Sequence, residues 1–231
     1  MRITVIGAGN SGLAMASHLS NEGNEVTLWN RSSATISKLM KTKLIFCDGV
    51  VKGEIPIHEV TDDIEIALEN PDIILITTPA SSHKELAELI GKNINKSTVI
   101  VLNPGRTLGA VEFKNIYEQY NNKYSQIIAE TQTIIYTCRK TDEDAVNIIA
   151  FKDEVLISAL GIKSNNSIVN YLPECIRKYF LKAESMIETS IGNVGMVLHC
   201  APLLLNAGWT ESDRNIYKYY YDGITPSVGK L

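Results

Sequence analysis

Gly7-Ala8-Gly9-Asn10-Ser11-Gly12 is the first stretch of this 231-residue chain whose residue types and spacing could do chemistry. It matches G-x-G-x-x-G, and each glycine has a use in such a turn. Gly7 permits the tight bend, Gly9 lets backbone approach a pyrophosphate, and Gly12 lets the next helix pack close to the preceding strand. N–H groups and dipole at the helix start, around Asn10 and Ser11, favour a phosphate anion. The flanks are those the motif requires. Ile3 to Ile6 is a β-branched apolar run suited to a buried strand, and Leu13, Ala14, Ala16 and Leu19 recur at helical spacing. Gly23 stands where that helix should end, and Glu25 to Trp29 resumes a strand. The pattern predicts a bound dinucleotide.

The end of the second strand bears on which one. An NAD site usually places Asp or Glu there to hold the ribose 2′-hydroxyl. Here the chain reads Trp29-Asn30-Arg31-Ser32-Ser33, without a carboxylate. Arg31 can pair with a 2′-phosphate, with neighbouring hydroxyls donating, or it is a solvated loop cation. NADP is therefore expected over NAD, with Asn30 and Arg31 at the ribose.

These residues need a scaffold. Asp72 to Thr77 and Thr98 to Leu102 read as further buried strands, and Ser125 to Ala129 and Thr133 to Cys138 as two more. Lys43 to Phe46 and Val50 to Ile57 read as strands around an Asp48-Gly49 turn. Helices are predicted over Ser33 to Lys41, Asp62 to Leu68, Ser82 to Ile90 with Ser81 as cap, and Leu108 to Tyr120. Alternating strands and helices predict an α/β fold, a doubly wound, mostly parallel sheet of Rossmann type. Loops at the carboxyl ends of its strands face the ligand, which makes Thr78, Pro79 and Gly105 candidate cofactor contacts. Ser164 to Ser167 is the expected boundary. It divides a dinucleotide-binding domain, 1–165, from the beginning of an all-helical substrate or dimerisation domain, 166–231.

The second chemical stretch is Glu184 to Gly208, read as one helix apolar nearly all round and hence buried. His199 and Asn206 are seven residues apart and share a face, from which Gly192 and Gly195 strip bulk, while Asn193 falls elsewhere. Pro202 should kink or open the helix. A lone His on such a helix is more often a satisfied core residue than a general acid/base, and its low-bulk face with the upstream dinucleotide motif brings the two readings level. His18, His58 and His83 lack such surroundings. Neither they nor Cys47, Cys138, Cys175 and Cys200 have metal-ligand spacing, so no metal is expected.

The totals narrow the class. Apolar residues are 45% and charged ones 21%, a globular balance, and the net charge of −4 argues against a nucleic-acid partner. Four dispersed cysteines suggest reduced thiols and a cytoplasmic protein, and Met1 enters a core strand at once, which predicts no signal peptide. The apolar portions of 184–208 are too short for a membrane span.

The segments GAGNSGLAMASHLSNEGNEVTLWNR, ITTPASSHKELAELI, LNPGRTLGA, AETQTIIYTCR, ETSIGNVGMVLHCAPLLLNAGW and YYYDGITPSV together resemble the opine (octopine/nopaline-type) dehydrogenase family. In its cofactor domain that family is related to glycerol-3-phosphate dehydrogenases. The resemblance implies an NAD(P)H-dependent enzyme that reductively condenses an α-keto acid such as pyruvate with an amino acid. It also implies His199 as proton donor/acceptor, with Asn193 and Asn206 as polar residues near the substrate. Family members continue further, with an aspartate paired to the histidine and basic groups for substrate carboxylates. The expectation is therefore a truncated chain with half a substrate site, prone to self-association. Rival readings are a non-catalytic NADP(H)-binding fragment and a glycerol-3-phosphate or ketopantoate-type reductase. The latter would need a lysine base, which 184–208 lacks.

Overall fold

The computed structural model of the protein describes residues 1–160, 168–192, 194–212 and 217–230. They form two compact units, Met1–Ser190 and Ile191–Leu231. The first unit begins with β1 (Arg2–Ile6), α1 (Asn10–Asn21) and β2 (Glu25–Trp29). Next come α2 (Ser37–Thr42), β3 (Leu44–Gly49), β4 (Gly53–Pro56), β5 (Glu59–Thr61) and α3 (Ile64–Ala67). Then β6 (Ile73–Ile76), α4 (His83–Asn93), β7 (Val99–Leu102), α5 (Gly109–Tyr120) and β8 (Ile127–Thr131) follow. It continues through β9 (Tyr136–Asp142), β10 (Ala145–Phe151), β11 (Val155–Leu160), α6 (Ile168–Tyr171), α7 (Glu174–Arg177) and β12 (Phe180–Lys182), into α8 (Met186–Ile191).

The main sheet has eight strands in the order β12-β11-β8-β7-β6-β1-β2-β5. From β8 to β5 every pairing is parallel, and β11 joins β8 antiparallel. The chain runs outward from β1 to β2, then returns to β6 on β1's other side. Strand order thus reverses between β1 and β6, where a doubly wound sheet opens its ligand crevice. β6 and β7 are buried at every position, as their unbroken apolar runs require of strands covered on both faces. Leu13, Met15 and Leu19 of α1 lead one apolar layer; Leu86 and Ile90 of α4 with Phe113 and Tyr117 of α5 lead the other. Both pairs in the second layer are spaced i,i+4, the separation that sets side chains on one helix face.

A second sheet, ordered β4-β3-β10-β9, lies against α1. The predicted turn at Asp48-Gly49 is instead the end of β3. Ile148 of β10 pairs with Gly49, and a Cβ there would stand 2.0 Å from the Ile148 carbonyl oxygen. That glycine is required by close approach rather than by reversal. β9 starts at Tyr136, not Thr133, and its hairpin with β10 shields α1. This explains why residues 12–19 of α1 are all buried, although a helix covered on one side would bury only a stripe. β12 adds an edge strand beside β11, so the first unit extends to Ser190, past the boundary expected at 165. The Ser164 to Ser167 punctuation lies outside the described residues.

The second unit contains α9 (Val194–Leu205) and α10 (Ala207–Thr210). The single buried helix expected over Glu184 to Gly208 is therefore three helices. The first break falls at Gly192, a weak helix former, and the second at Asn206. α9 runs through Pro202 and ends three residues later. Nor is it buried: Leu198, Leu203, Leu204 and Leu205 are exposed, since a helix apolar all round stays apolar on whichever side nothing covers. Among the described residues, no helix is long and apolar enough to cross a membrane.

Glu130, at the carboxyl end of β8, is fully buried. Its Oε2 accepts from Ala110 N (2.9 Å) at the start of α5, and its Oε1 accepts from Thr189 Oγ1 (2.8 Å) and Ser190 Oγ (2.6 Å) of α8. Leu108, held at φ +54 where a bulky side chain is strained, donates its N–H to Ser190 Oγ (3.1 Å). One carboxyl group thus ties together β8, the β7 exit loop, α5 and α8. Glu130→Ala orphans these donors and is expected to cost about 3 kcal/mol in urea unfolding, with Glu130→Gln recovering part of it. Burial also lowers the pKa of His18 and His83 from the ordinary 6.5. The unfolded chain then takes up protons that the folded imidazoles refuse, so their contribution is intact above about pH 6.5 and is lost on acidification below it. His18→Gln and His83→Gln should each flatten the acid limb of stability against pH, and a limb of unchanged slope in both would discount these groups.

Candidate dinucleotide site

The crevice starts at the turn from β1 into α1. Gly7 has φ +105, and a Cβ on it would lie 2.7 Å from Thr78 Cγ2. At Gly12 a Cβ would stand 1.7 Å from the Gly7 carbonyl oxygen, so the helix sits this close to the strand only without a side chain. Gly9 is the opposite case: nothing lies within 4 Å of its Cβ position, which points into open space beside the helix start. Gly9 is the extended N-cap of α1, with no side-chain cap and no acid in the first turn. The first N–H groups of α1, which have no intrahelical partner, are thus available to an anion, and no carboxylate of that turn opposes one. The cradle fits a diphosphate. Ser11 is half-buried in this turn, and the Asn10 side chain turns away, its Oδ1 accepting from Lys140 N (2.7 Å) of β9.

The cradle continues into a cleft of about 440 Å³. Ala8, Gly9, Asn30, Arg31 and Ser32 line one side, and Thr78, Pro79, Glu85, Leu86 and Leu89 the other. Asn30 is held by its own bonds. Its Oδ1 accepts from Ala8 N (3.1 Å) and its Nδ2 donates to Ser32 O (3.1 Å), which ties the β2 exit to the glycine turn. Arg31 reaches across the mouth to an ion pair with Glu85 of α4, the two side chains 68% and 58% exposed. Thr78 and Pro79 are fixed by Ser82, whose hydroxyl bonds to Thr78 Oγ1 (2.8 Å) and Pro79 O (2.7 Å). The hydroxyl that closes this turn is therefore that of Ser82, and the predicted cap Ser81 has no such bond among those described.

Gly9, Asn30, Arg31, Thr78 and Pro79, all expected at the cofactor, line this one cleft. Gly105 is not among its lining residues. Its Cβ position lies 2.4 Å from Glu130 Cβ, so close packing on that buried side chain accounts for the glycine. Glu85, one acid on the polar face of α4, and Lys140, whose Nζ donates to Ala8 O (3.2 Å), carry no sequence signal that points to this cleft. Both come from elements remote from the glycine turn.

On the second unit, His199 is exposed on α9. Its Nδ1 is 2.5 Å from Tyr220 Oη, and Tyr219 Oη donates to its carbonyl oxygen (2.5 Å). The Tyr220 phenol thus fixes the orientation of the ring through Nδ1 and leaves Nε2 without a bond among those described. Asn206 is engaged locally, its Nδ2 donating to Pro202 O and Gly223 O (both 2.9 Å). Asn193 lies outside the described residues. Among the described residues, no cluster of three or more His, Cys, Asp or Glu side chains could hold a metal.

Comparison with known proteins matches two stretches of the chain to different family models. Residues 2–138 match the NAD-dependent glycerol-3-phosphate dehydrogenase N-terminus, and residues 182–231 match the alpha-helical domain of NAD/NADP octopine/nopaline dehydrogenase. An opine dehydrogenase of Arthrobacter sp. (strain 1C) is 33% identical over 98% of this chain, which spans 63% of that relative's length. An octopine dehydrogenase solved with NADH and agmatine superposes with a TM-score of 0.78 at 17% identity, over 100% of this chain and 60% of that one. A yersinopine dehydrogenase bound to NADP+ superposes with a TM-score of 0.70 at 15% identity, over 89% of this chain and 52% of that one. Through residues 2–138 this chain belongs to the family of the NAD-dependent glycerol-3-phosphate dehydrogenase N-terminus, and over nearly its whole length it is similar to opine and octopine dehydrogenases.

Proposed function

We propose that this protein is an NAD(P)H-dependent opine dehydrogenase, reductively condensing an α-keto acid such as pyruvate with the amino group of an amino acid. The observation that carries the cofactor half of this reading is the cradle at Gly9, open and facing a cleft at the strand-order reversal. The helical match at 182–231 favours opine chemistry over glycerol-3-phosphate oxidation. The bound nicotinamide supplies the hydride. Gly7, Gly9, Gly12 and the first turn of α1, with Asn10 and Ser11, hold the diphosphate through backbone N–H groups. Asn30 and Arg31 meet the adenosine ribose, and Arg31 inclines the site towards NADP, with NAD also accepted. Thr78 and Pro79 form the opposite wall, and Gly105 shapes the floor through Glu130. His199, oriented by Tyr220, exchanges the proton at the reacting keto or imine group, with Asn193 and Asn206 as accessory polar groups. The second, helical domain begins beyond the sheet unit, and the exposed leucines of α9 support self-association. Four unpaired cysteines support a cytoplasmic setting.

Two glycines separate binding from folding. Gly9→Ala places its methyl in open space and should leave urea stability within about 0.5 kcal/mol of wild type while weakening NADPH at least about tenfold. Gly12→Ala forces a methyl into the Gly7 carbonyl and should cost about 3 kcal/mol of stability. Nucleotide affinity unchanged in Gly9→Ala would remove the cradle from the binding site.

The catalytic half is tested with NADPH, pyruvate and a panel of amino acids, followed by loss of dihydronicotinamide absorbance. Oxidation is expected with at least one pair, and His199→Ala should slow it about a hundredfold or more while NADPH still binds. An unchanged rate excludes His199 from the chemistry. Binding without oxidation for every pair would instead favour a nucleotide-binding protein without turnover.

A further inference from the structure

We infer that Glu85 of α4 sets the balance between NADH and NADPH by competing with a 2′-phosphate for Arg31, so that the pair together, and not Arg31 alone, defines cofactor preference. The inference rests on the cofactor reading above.

The end of β2 lacks the carboxylate that would hold a ribose diol, and Arg31 taken alone predicts a phosphate-selective pocket. In space, however, Arg31 is already spoken for. Its guanidinium pairs with the Glu85 carboxylate across the mouth of the cleft that both residues line. A carboxylate is thus present at this rim after all, delivered from a different helix. It has two opposite consequences. A 2′-hydroxyl meets a ready acceptor at the rim. A 2′-phosphate must take Arg31 from Glu85 and then lie close to a like charge. Asn30 substitutes for neither charge, because its amide is neutral and is already tied to Ala8 and Ser32. The two charged side chains are more than half exposed, so water and salt screen their attraction, and the pair exchanges for a ligand at little cost. This makes the site tolerant of both cofactors, with only a modest preference for NADPH.

The test is a set of binding titrations of NADH and NADPH into the intact chain, read by nucleotide fluorescence, for wild type, Glu85→Gln and Arg31→Ala. Wild type should bind both within about tenfold of each other, since one screened charge pair discriminates no further. Glu85→Gln should tighten NADPH about fivefold at low salt and leave NADH unchanged or weaker, as removing one like charge from the phosphate's surroundings predicts. That gain should shrink as salt is raised, whereas the thermal midpoint of the nucleotide-free protein should not move. Arg31→Ala should weaken NADPH specifically. If both nucleotides bind but their ratio is the same in Glu85→Gln as in wild type, the inference falls and the cofactor reading stands. If wild type binds neither, the cofactor reading falls and the inference falls with it.

Discussion

The first unit depends on one close approach, that of the α1 backbone to the end of β1. The carbonyl oxygen of Gly7 occupies the place where any side chain at residue 12 would begin. With that contact made, the first turn of α1 lies directly over the carboxyl end of the central strand, and its N–H groups face the crevice. Displacing the helix by the thickness of one methyl would move those donors away from the place where the strand order reverses, and Thr77 and Thr78 would lose their packing against Gly7 and Gly12. The dinucleotide site is thus less a loop than a consequence of how closely a helix can be set on a sheet.

A helix held that close must also be held from behind, and the four-stranded sheet does this. Tyr136 bonds to His18 Nδ1 (3.0 Å), Ser20 donates to Pro56 O (2.6 Å), and the Cys138 thiol and Lys140 N–H meet Asn10. The clamp is built from two stretches, 44–56 and 136–151, separated by some eighty residues of the main sheet. Phe151 and Tyr179 stack at 4.7 Å beside His18 and keep water from the outer side of the helix. With both faces covered, α1 uses small and apolar residues all round, and its burial depresses the His18 pKa.

What was legible in the sequence follows the range of the interactions. The strand, glycine turn and helix at the N-terminus, the buried runs of β6 and β7 and the amphipathic α4 and α5 are each settled within a dozen residues, and they stand where periodicity put them. The features not foreseen are long-range. Gly49 looks like a turn until β10 is laid beside it. β5 and β12 are three-residue edge strands whose pairing, not their composition, makes them strands. Glu130 sits between two strand-like runs as apparent punctuation, and its three donors arrive from residues 110, 189 and 190. The run at 184–208 differs from the single buried helix its composition predicts for a related reason. Apolar composition fixes that a surface prefers cover, but not which element supplies it, nor that Gly192 and Asn206 divide the run.

Glu130 and Glu85 show how burial decides what a carboxyl group can do. Glu130 is out of water, and each of its hydrogen bonds replaces one that solvent can no longer offer. Losing a partner there exposes an unmet polar group at a cost of about 1–3 kcal/mol, so the β7 exit loop and the starts of α5 and α8 are fixed relative to β8. Glu85 is largely in water, where an ion pair contributes about 0–1 kcal/mol and exchanges readily for a ligand group. Elements that must keep one arrangement need the first kind of carboxylate, because a bond that water could replace would not hold them. A rim that exchanges partners needs the second. The same functional group thus fixes its neighbours in one place and yields them in the other, and its access to solvent sets which.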